Sequence, residues 1–275
     1  MVYQPLLDAK KEGRIAELRA FGRSFDDEYK QELEKAGFKT HLVDYSDEKT
    51  LLAALKGVNC LLSCMGAQGD FNESKHALLE AAIKSKVQVY IPSEFGTDHN
   101  ALKEHGDFPM FAKKRKHFKE SQAAGIKTVG IFTSLILEYT FFKRSGFDNE
   151  KEQWTVCGKA NGAKVSLSSE IDVGKYTVEA LLLAYNDPEK CPEHVRIYST
   201  NMTMQDYADG FDAVAGRKTT ITETSLDDAV ATYIRLRPTL PSFQVGPLIP
   251  VMLASCVYPP AYSELTLTMP CSWRL

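Results

Sequence analysis

Long apolar runs are scarce in this chain. The stretch from Met1 to Arg14 carries no extended hydrophobic segment, which argues against a secretory signal. The most apolar late stretch, residues 245–257, is too short to span a bilayer and is interrupted by Pro247 and Pro250. A cytoplasmic location without membrane contact is therefore expected. The six cysteines form no Cys-x-x-Cys pair and have no histidines at zinc-ligand spacing. They read as reduced thiols of a cytosolic core, which disfavours disulfide and metal roles. An excess of one charge is missing too: 33 Lys and Arg against 36 Asp and Glu leave a formal net charge of -3. Nothing global then draws the protein to nucleic acid or to an anionic membrane. Internal repeats and low-complexity segments are also absent from the sequence.

What is present is ordinary for a soluble globular protein: 275 residues, 44% hydrophobic and 25% charged, enough for one large core or two modest ones. The first two-thirds alternates short apolar runs with helical patterns. Strands are expected over residues 15–21, 38–43, 58–64, 87–91 and 128–132. Helices are expected before Gly13, over 26–36, after an N-cap at Ser46, over 71–83 and over 110–123. Such alternation implies a doubly wound parallel sheet covered by helices. The 58–64 run is strongly apolar, as for a strand buried on both faces.

Beyond Ser134 the pattern changes. Residues 154–167, with Gly158 and Gly162 as turn signals, predict a hairpin. A helix over 172–184, a strand over 195–198 and a helix over 203–214 follow. Seven of the twelve prolines fall between Pro238 and Pro270, which excludes long regular elements there. The expected organisation is a nucleotide-binding unit over 1–134, a smaller mixed α/β substrate lobe over 135–237 and an irregular proline-rich tail over 238–275.

Three segments together carry a family resemblance: Leu61-Leu62-Ser63-Cys64-Met65-Gly66, Ile91-Pro92-Ser93-Glu94-Phe95-Gly96, and Lys113-Lys114-Arg115-Lys116 ahead of Gly125-Ile126. Over residues 3–215 the chain resembles the NmrA-like and isoflavone-reductase-like proteins, atypical short-chain dehydrogenases that bind NAD(P). The resemblance implies a six-stranded Rossmann-like sheet of order 3-2-1-4-5-6, with cofactor across the carboxyl ends of its strands. By position, the 15–21 run resembles the second strand of that sheet. The family's first strand and its Gly-x-x-Gly-x-x-Gly turn are expected before Val2, so the fold is expected to lack both. The chain then reads as an incomplete gene model or splice form, or as a variant that binds cofactor weakly or not at all. Two backbone hydrogen bonds lost to a pyrophosphate correspond to about 3–6 kcal/mol, roughly a hundred- to ten-thousand-fold in affinity.

The resemblance also implies roles. Arg23, after the second strand, would meet the 2′-phosphate of NADP, for which a planar, permanently charged fork is suited; a solvated surface arginine is the competing reading. NADP is thus preferred to NAD. Asp44 would face the adenine, or serve as an ordinary surface acid. Ser63 and Gly66 end the fourth strand beside the cofactor, where a glycine allows close backbone approach. Ser93, Glu94 and Phe95 would flank the nicotinamide.

Lys114, eleven residues before Gly125, takes the place of the reductase branch's catalytic lysine. With a depressed pKa it would serve as general acid or base, or bind the nicotinamide ribose. Lys113 and Lys116 are alternatives by one step of helical register. Two features depart from the dehydrogenase pattern. Met110 stands where Tyr-x-x-x-Lys requires tyrosine, and Phe118-Lys119 stands where plant reductases carry two arginines. A Tyr-x-x-x-Lys match at Tyr139 to Lys143 falls beyond the sixth strand. The basic run 113–119 also reads as a nucleic-acid patch, but a helix spreads its charges around the surface. Two functions remain: an NAD(P)H-dependent reductase of a small, aromatic or carbonyl-bearing molecule, or a non-catalytic dinucleotide sensor that controls a protein partner.

Overall fold

The computed structural model describes residues 1–65, 71–100, 109–141, 143, 146–157 and 162–236. The first half runs α1 (Tyr3–Lys11), β1 (Leu18–Gly22), α2 (Asp27–Lys35), β2 (Phe38–Leu42), α3 (Glu48–Leu55), β3 (Cys60–Leu62), α4 (Phe71–Lys84), β4 (Val89–Ile91), α5 (Pro109–Ala123), β5 (Lys127–Thr128) and β6 (Gly130–Phe132). The second half runs β7 (Leu135–Ile136), α6 (Leu137–Thr140), β8 (Phe147–Asp148), β9 (Gln153–Cys157), β10 (Lys164–Ser168), α7 (Glu170–Asn186), β11 (His194–Arg196), β12 (Thr200–Thr203), α8 (Met204–Ala215), β13 (Thr220–Thr224) and α9 (Leu226–Leu236). The proline-rich tail lies outside the described residues.

Every pairing among β1 to β6 is parallel, as the βα alternation predicts. β1 pairs with β2, and β3, β4 and β5 form a second sheet. β6 pairs in parallel with β11, so a strand from late in the chain continues this layer. Among the described residues no strand is hydrogen-bonded between β1 and β3.

Local chemistry sets the element ends. Asp26 caps α2 by accepting from the backbone N–H groups of Glu28 and Tyr29 at 3.0 and 3.3 Å. Gly37, at φ 92°, takes the left-handed turn beyond that helix. The cap of α3 is Asp47 and not Ser46: the Asp47 carboxylate accepts from Lys49 N–H, whereas the Ser46 hydroxyl donates to Asp44 at 2.7 Å. A carboxylate is the stronger acceptor at a positive helix end, and Asp44 has already engaged the serine.

Burial on both faces explains the apolar strands. On one side Leu78, Ala81 and Ala82 of α4 and Leu51 and Leu55 of α3 pack against Leu61 and Tyr90. On the other, Ala180, Leu181 and Ala184 of α7 pack against Val89, Ile91 and Ile131. A side chain such as Leu55, fully buried, contributes about 2 kcal/mol by leaving water.

The expected hairpin over 154–167 does not form. β9 pairs in parallel with β13 and antiparallel with β8, while β10 pairs antiparallel with β12 and in parallel with β7. Aromatic packing accounts for the separation. The Trp154 ring of β9 sits 4.9 Å from Phe141, 5.2 Å from Phe147 and 5.6 Å from Phe211, centroid to centroid. These partners come from three different segments and outweigh a local turn signal.

Gly146 joins this cluster to β8, with φ 93° and room for no side chain: an added Cβ would lie 2.9 Å from the Thr155 carbonyl oxygen. Gly146→Ala is expected to cost about 1–3 kcal/mol in urea denaturation. Gly13→Ala, where φ is 75° and no atom lies within 4 Å, should cost less; equal losses would mean that the close approach to Thr155 is unimportant.

Candidate active site

The site is built where β3 and β4 end. Ser63 N–H donates to the Ile91 carbonyl at 2.9 Å, and the Ser93 hydroxyl donates to the Met65 carbonyl at 2.9 Å. These bonds join the two strand ends. The chain then turns sharply, with Glu94 N–H donating to Pro92 O at 2.8 Å and Phe95 held at φ 32°. A positive φ on phenylalanine is strained, and such strain persists where surrounding structure fixes the backbone. Here Gly96 O accepts from both Thr133 and Ser134 N–H, at 3.0 and 3.1 Å. Farther along, the buried Asp98 carboxylate accepts from Arg196 of β11 at 2.8 Å, and Arg115 donates to His99 O at 2.8 Å.

Helix α5 lays Lys114 across this loop. Its ammonium donates to Ser93 O at 3.1 Å and to Glu94 O at 3.0 Å, and it pairs with Glu94 Oε2 at 3.2 Å. Helical register decides among the lysines: Lys113 and Lys116 are exposed, and Lys116 pairs with Glu120 one turn on. The Glu94 side chain is 1% exposed and also meets His99 Nε2 at 3.0 Å and Lys75 Nζ at 3.8 Å. Burial pushes this carboxyl up. The hydrogen bond from His99 and the Lys114 and Lys75 ammoniums more than reverse that, holding it at about 2. Behind the cluster, Tyr90 OH and His117 Nε2 lie 3.0 Å apart. Burial, helped by Lys75, pushes the His117 imidazole down to about 3, so it is neutral at physiological pH.

Of the sequence-expected residues, Ser93, Glu94, Phe95 and Lys114 come together here, and Ser63 joins them at the end of β3. The Ser63 hydroxyl is buried next to the Tyr90 hydroxyl, with which it interacts. Arg23 and Asp44 follow the ends of β1 and β2. Asp44 turns into its own loop, accepting from Ser46 N–H at 2.8 Å and from its hydroxyl, which holds its carboxyl below the usual range. Gly66 lies outside the described residues. Tyr139 and Lys143 do not form a dehydrogenase pair: Tyr139 donates to Glu170 at 2.9 Å, while Lys143 meets Asp148 at 3.2 Å.

Lys75, His99 and His117 were not singled out by sequence reasoning. One signal was available for Lys75, because it shares the apolar stripe of α4 with Leu78, Leu79 and Ala82, at i+3, i+4 and i+7.

With this geometry in view, the comparisons with known proteins decide the lineage. The NmrA-like family model matches residues 9–242. The chain belongs to the NmrA-like family. It is 26% identical over 202 residues to "Oxidoreductase aprR" of Aspergillus flavus, a match covering 70% of this chain and 64% of that protein. It is 26% identical over 169 residues to "Isoflavone reductase homolog P3" of Arabidopsis thaliana, covering 58% of this chain and 52% of that protein. The chain thus spans between about half and two-thirds of these relatives. In fold it is similar to the leucoanthocyanidin reductase–NADPH complex from Vitis vinifera, with TM-score 0.74, 16% identity and coverage of 98% and 88% of the two chains.

These residues supply a cation, a buried hydroxyl and a strained aromatic turn at the carboxyl ends of adjacent parallel strands, the edge at which open α/β sheets take their ligands.

The neutral His117 sets a pH dependence. The unfolded imidazole binds a proton near its ordinary value of 6.5, while the folded one does so only near 3. Stability should therefore fall as pH drops through that window. Glu94 adds to the loss only below its ordinary 4.5, so the span from 6.5 to 4.5 isolates histidine. His194, also pushed down by burial, shares it. His117→Gln, which keeps an acceptor for Tyr90, should flatten the urea-measured slope there; an unchanged slope would contradict the assignment.

Proposed function

We propose that the protein is an NADPH-dependent reductase acting on a small, aromatic or carbonyl-bearing molecule, with Lys114 as its catalytic cation. The observation that carries this reading is the Lys114 ammonium at the end of β4, only 15% exposed and fixed by Ser93 and Glu94. A fixed, nearly desolvated donor at this edge suits stabilisation of charge developing on a substrate oxygen. When bound, the dihydronicotinamide supplies a hydride. Lys114 then holds at Nζ the proton that the reduced oxygen requires, and Ser63 offers a hydroxyl for orientation. Phe95 places apolar surface beside the strand ends and helps to exclude water.

The relatives support reduction, since their names include an oxidoreductase and an isoflavone reductase homologue. The preference for NADPH over NADH rests on Arg23 at the end of β1, whose guanidinium suits a 2′-phosphate. Weak binding belongs to the same proposal, and the titration below measures it. A cytoplasmic setting is part of this reading as well.

One observation favours the second reading, a dinucleotide sensor acting on a regulatory protein partner. Lys114 is already engaged within the chain, by hydrogen bonds to Ser93 O and Glu94 O and by its ion pair with Glu94 Oε2. Turnover requires it to release one.

Calorimetric titration of the folded chain with NADPH and NADH, followed by a turnover screen over aromatic carbonyl compounds, tests both readings. The expected result is measurable NADPH binding, tighter than NADH, with turnover that falls about a hundred-fold or more in Lys114→Ala while binding persists. Binding without any turnover would transfer the conclusion to the sensor. Folded protein that binds neither cofactor would overturn both.

A further inference from the structure

Lys75 is 3% exposed, on the stripe of α4 that faces the sheet. A lysine buried so deeply is rare, and it persists where a counter-charge meets it. That charge is Glu94, whose carboxylate is shared: Oε1 faces Lys75 at 3.8 Å, and Oε2 faces Lys114 at 3.2 Å and His99 at 3.0 Å. Two ammoniums from different helices thus divide one anion. Among the described residues, other titratable groups around them include Tyr90 of β4 and His117 of α5, 3.0 Å apart, with Tyr45 acting on Tyr90 and His76 acting on His117.

We propose that Lys75 and Glu94 are positioning residues for Lys114. Glu94 anchors the Lys114 ammonium at the end of β4, and Lys75, by drawing on the opposite carboxylate oxygen, sets how firmly that anchor holds. While Lys75 is charged, the carboxylate serves two cations and Lys114 can exchange one contact for a substrate oxygen. Once Lys75 loses its proton, the carboxylate serves Lys114 and His99 alone, and Lys114 is held more tightly. Burial pushes the Lys75 ammonium down to about 8. Glu94 opposes that fall and Lys114 adds to it, so the change falls close to physiological pH. His117 is neutral there and does not compete for the carboxylate.

The catalytic consequence rests on the reductase reading of Lys114, whereas the coupling between the two lysines can be measured without turnover. The full chain, labelled with ε-13C-lysine, is titrated by NMR from pH 6 to pH 11, with Lys75→Met and Lys114→Met used for assignment. The Lys75 signal is expected to titrate near 8, and the Lys114 signal to show an inflection at the same pH. That inflection should be absent from Lys75→Met, and also from Lys75→Arg, which retains a charge throughout.

A Lys75 signal that titrates like a surface lysine, or a Lys114 signal without the shared inflection, would overturn the proposal. Both outcomes are read on the unsubstituted chain, and Lys75→Arg and Lys114→Arg, which keep the charge, assign the two signals if either methionine variant fails to fold. Where turnover is present, kcat/KM of Lys75→Met should already be low at neutral pH and lack the alkaline fall near 8, whereas Lys75→Arg should stay active through that pH. A merely structural role would lower activity without removing the alkaline fall. Absence of cofactor binding together with an intact lysine coupling would reject the reductase and leave the positioning cluster in place.

Discussion

The Glu94 carboxylate is removed from water almost completely, and a bare carboxylate in that position would be prohibitively costly. Its presence therefore dictates what surrounds it. A histidine from the following loop, a lysine from α4 and a lysine from α5 all converge on two oxygen atoms. Each belongs to a separate element, so satisfying the charge fixes the two helices and the loop relative to one another. The strained backbone at Phe95 fits the same picture. It is tolerable because the residues on either side are tied down, Glu94 by its ion pairs and Gly96 by the backbone of Thr133 and Ser134.

The parallel architecture was legible in the sequence because its cause is local. A strand covered by helices on both faces must be largely apolar, and the helices must carry one apolar stripe; both patterns appear in residue order, most clearly over 58–64 and 87–91. The hairpin expected over 154–167 failed for the opposite reason. Glycines at 158 and 162 indicate a turn in the chain and say nothing of which strands pair afterwards. Trp154 is placed by rings from the end of α6 (Phe141), from β8 and from α8, and that information is spread over some seventy residues. The misplaced cap at Ser46 is a smaller case of the same kind: two neighbouring residues both suit a helix start, and Asp44 decided between them.

The site divides along similar lines. Ser93, Glu94, Phe95 and Lys114 were legible because the turn hexapeptide and the lysine spacing are contiguous signals. Lys75 was legible in principle, as a charge on an apolar stripe, but its partner lies nineteen residues away on another element. His99 and His117 carry no sequence signal at all: their meaning comes from what they touch. Asp44 shows the reverse, a residue in a suggestive position whose carboxylate is occupied by its own turn.

The β1–β2 sheet and the β3–β4–β5 sheet are separate hydrogen-bonded units among the described residues. They adhere through side chains. Phe21 packs against the core beneath α3 and α4, and the Arg19 guanidinium donates to the Ala54 and Lys56 carbonyls at 3.0 and 2.8 Å, closing the end of α3. Backbone ladders break one bond at a time, but a seam of this kind parts when a few side chains let go together. The two units are thus natural candidates for distinct cooperative openings. The segment carrying Arg23 belongs to the first unit and the cluster around Glu94 to the second, so the ligand edge is assembled across this seam.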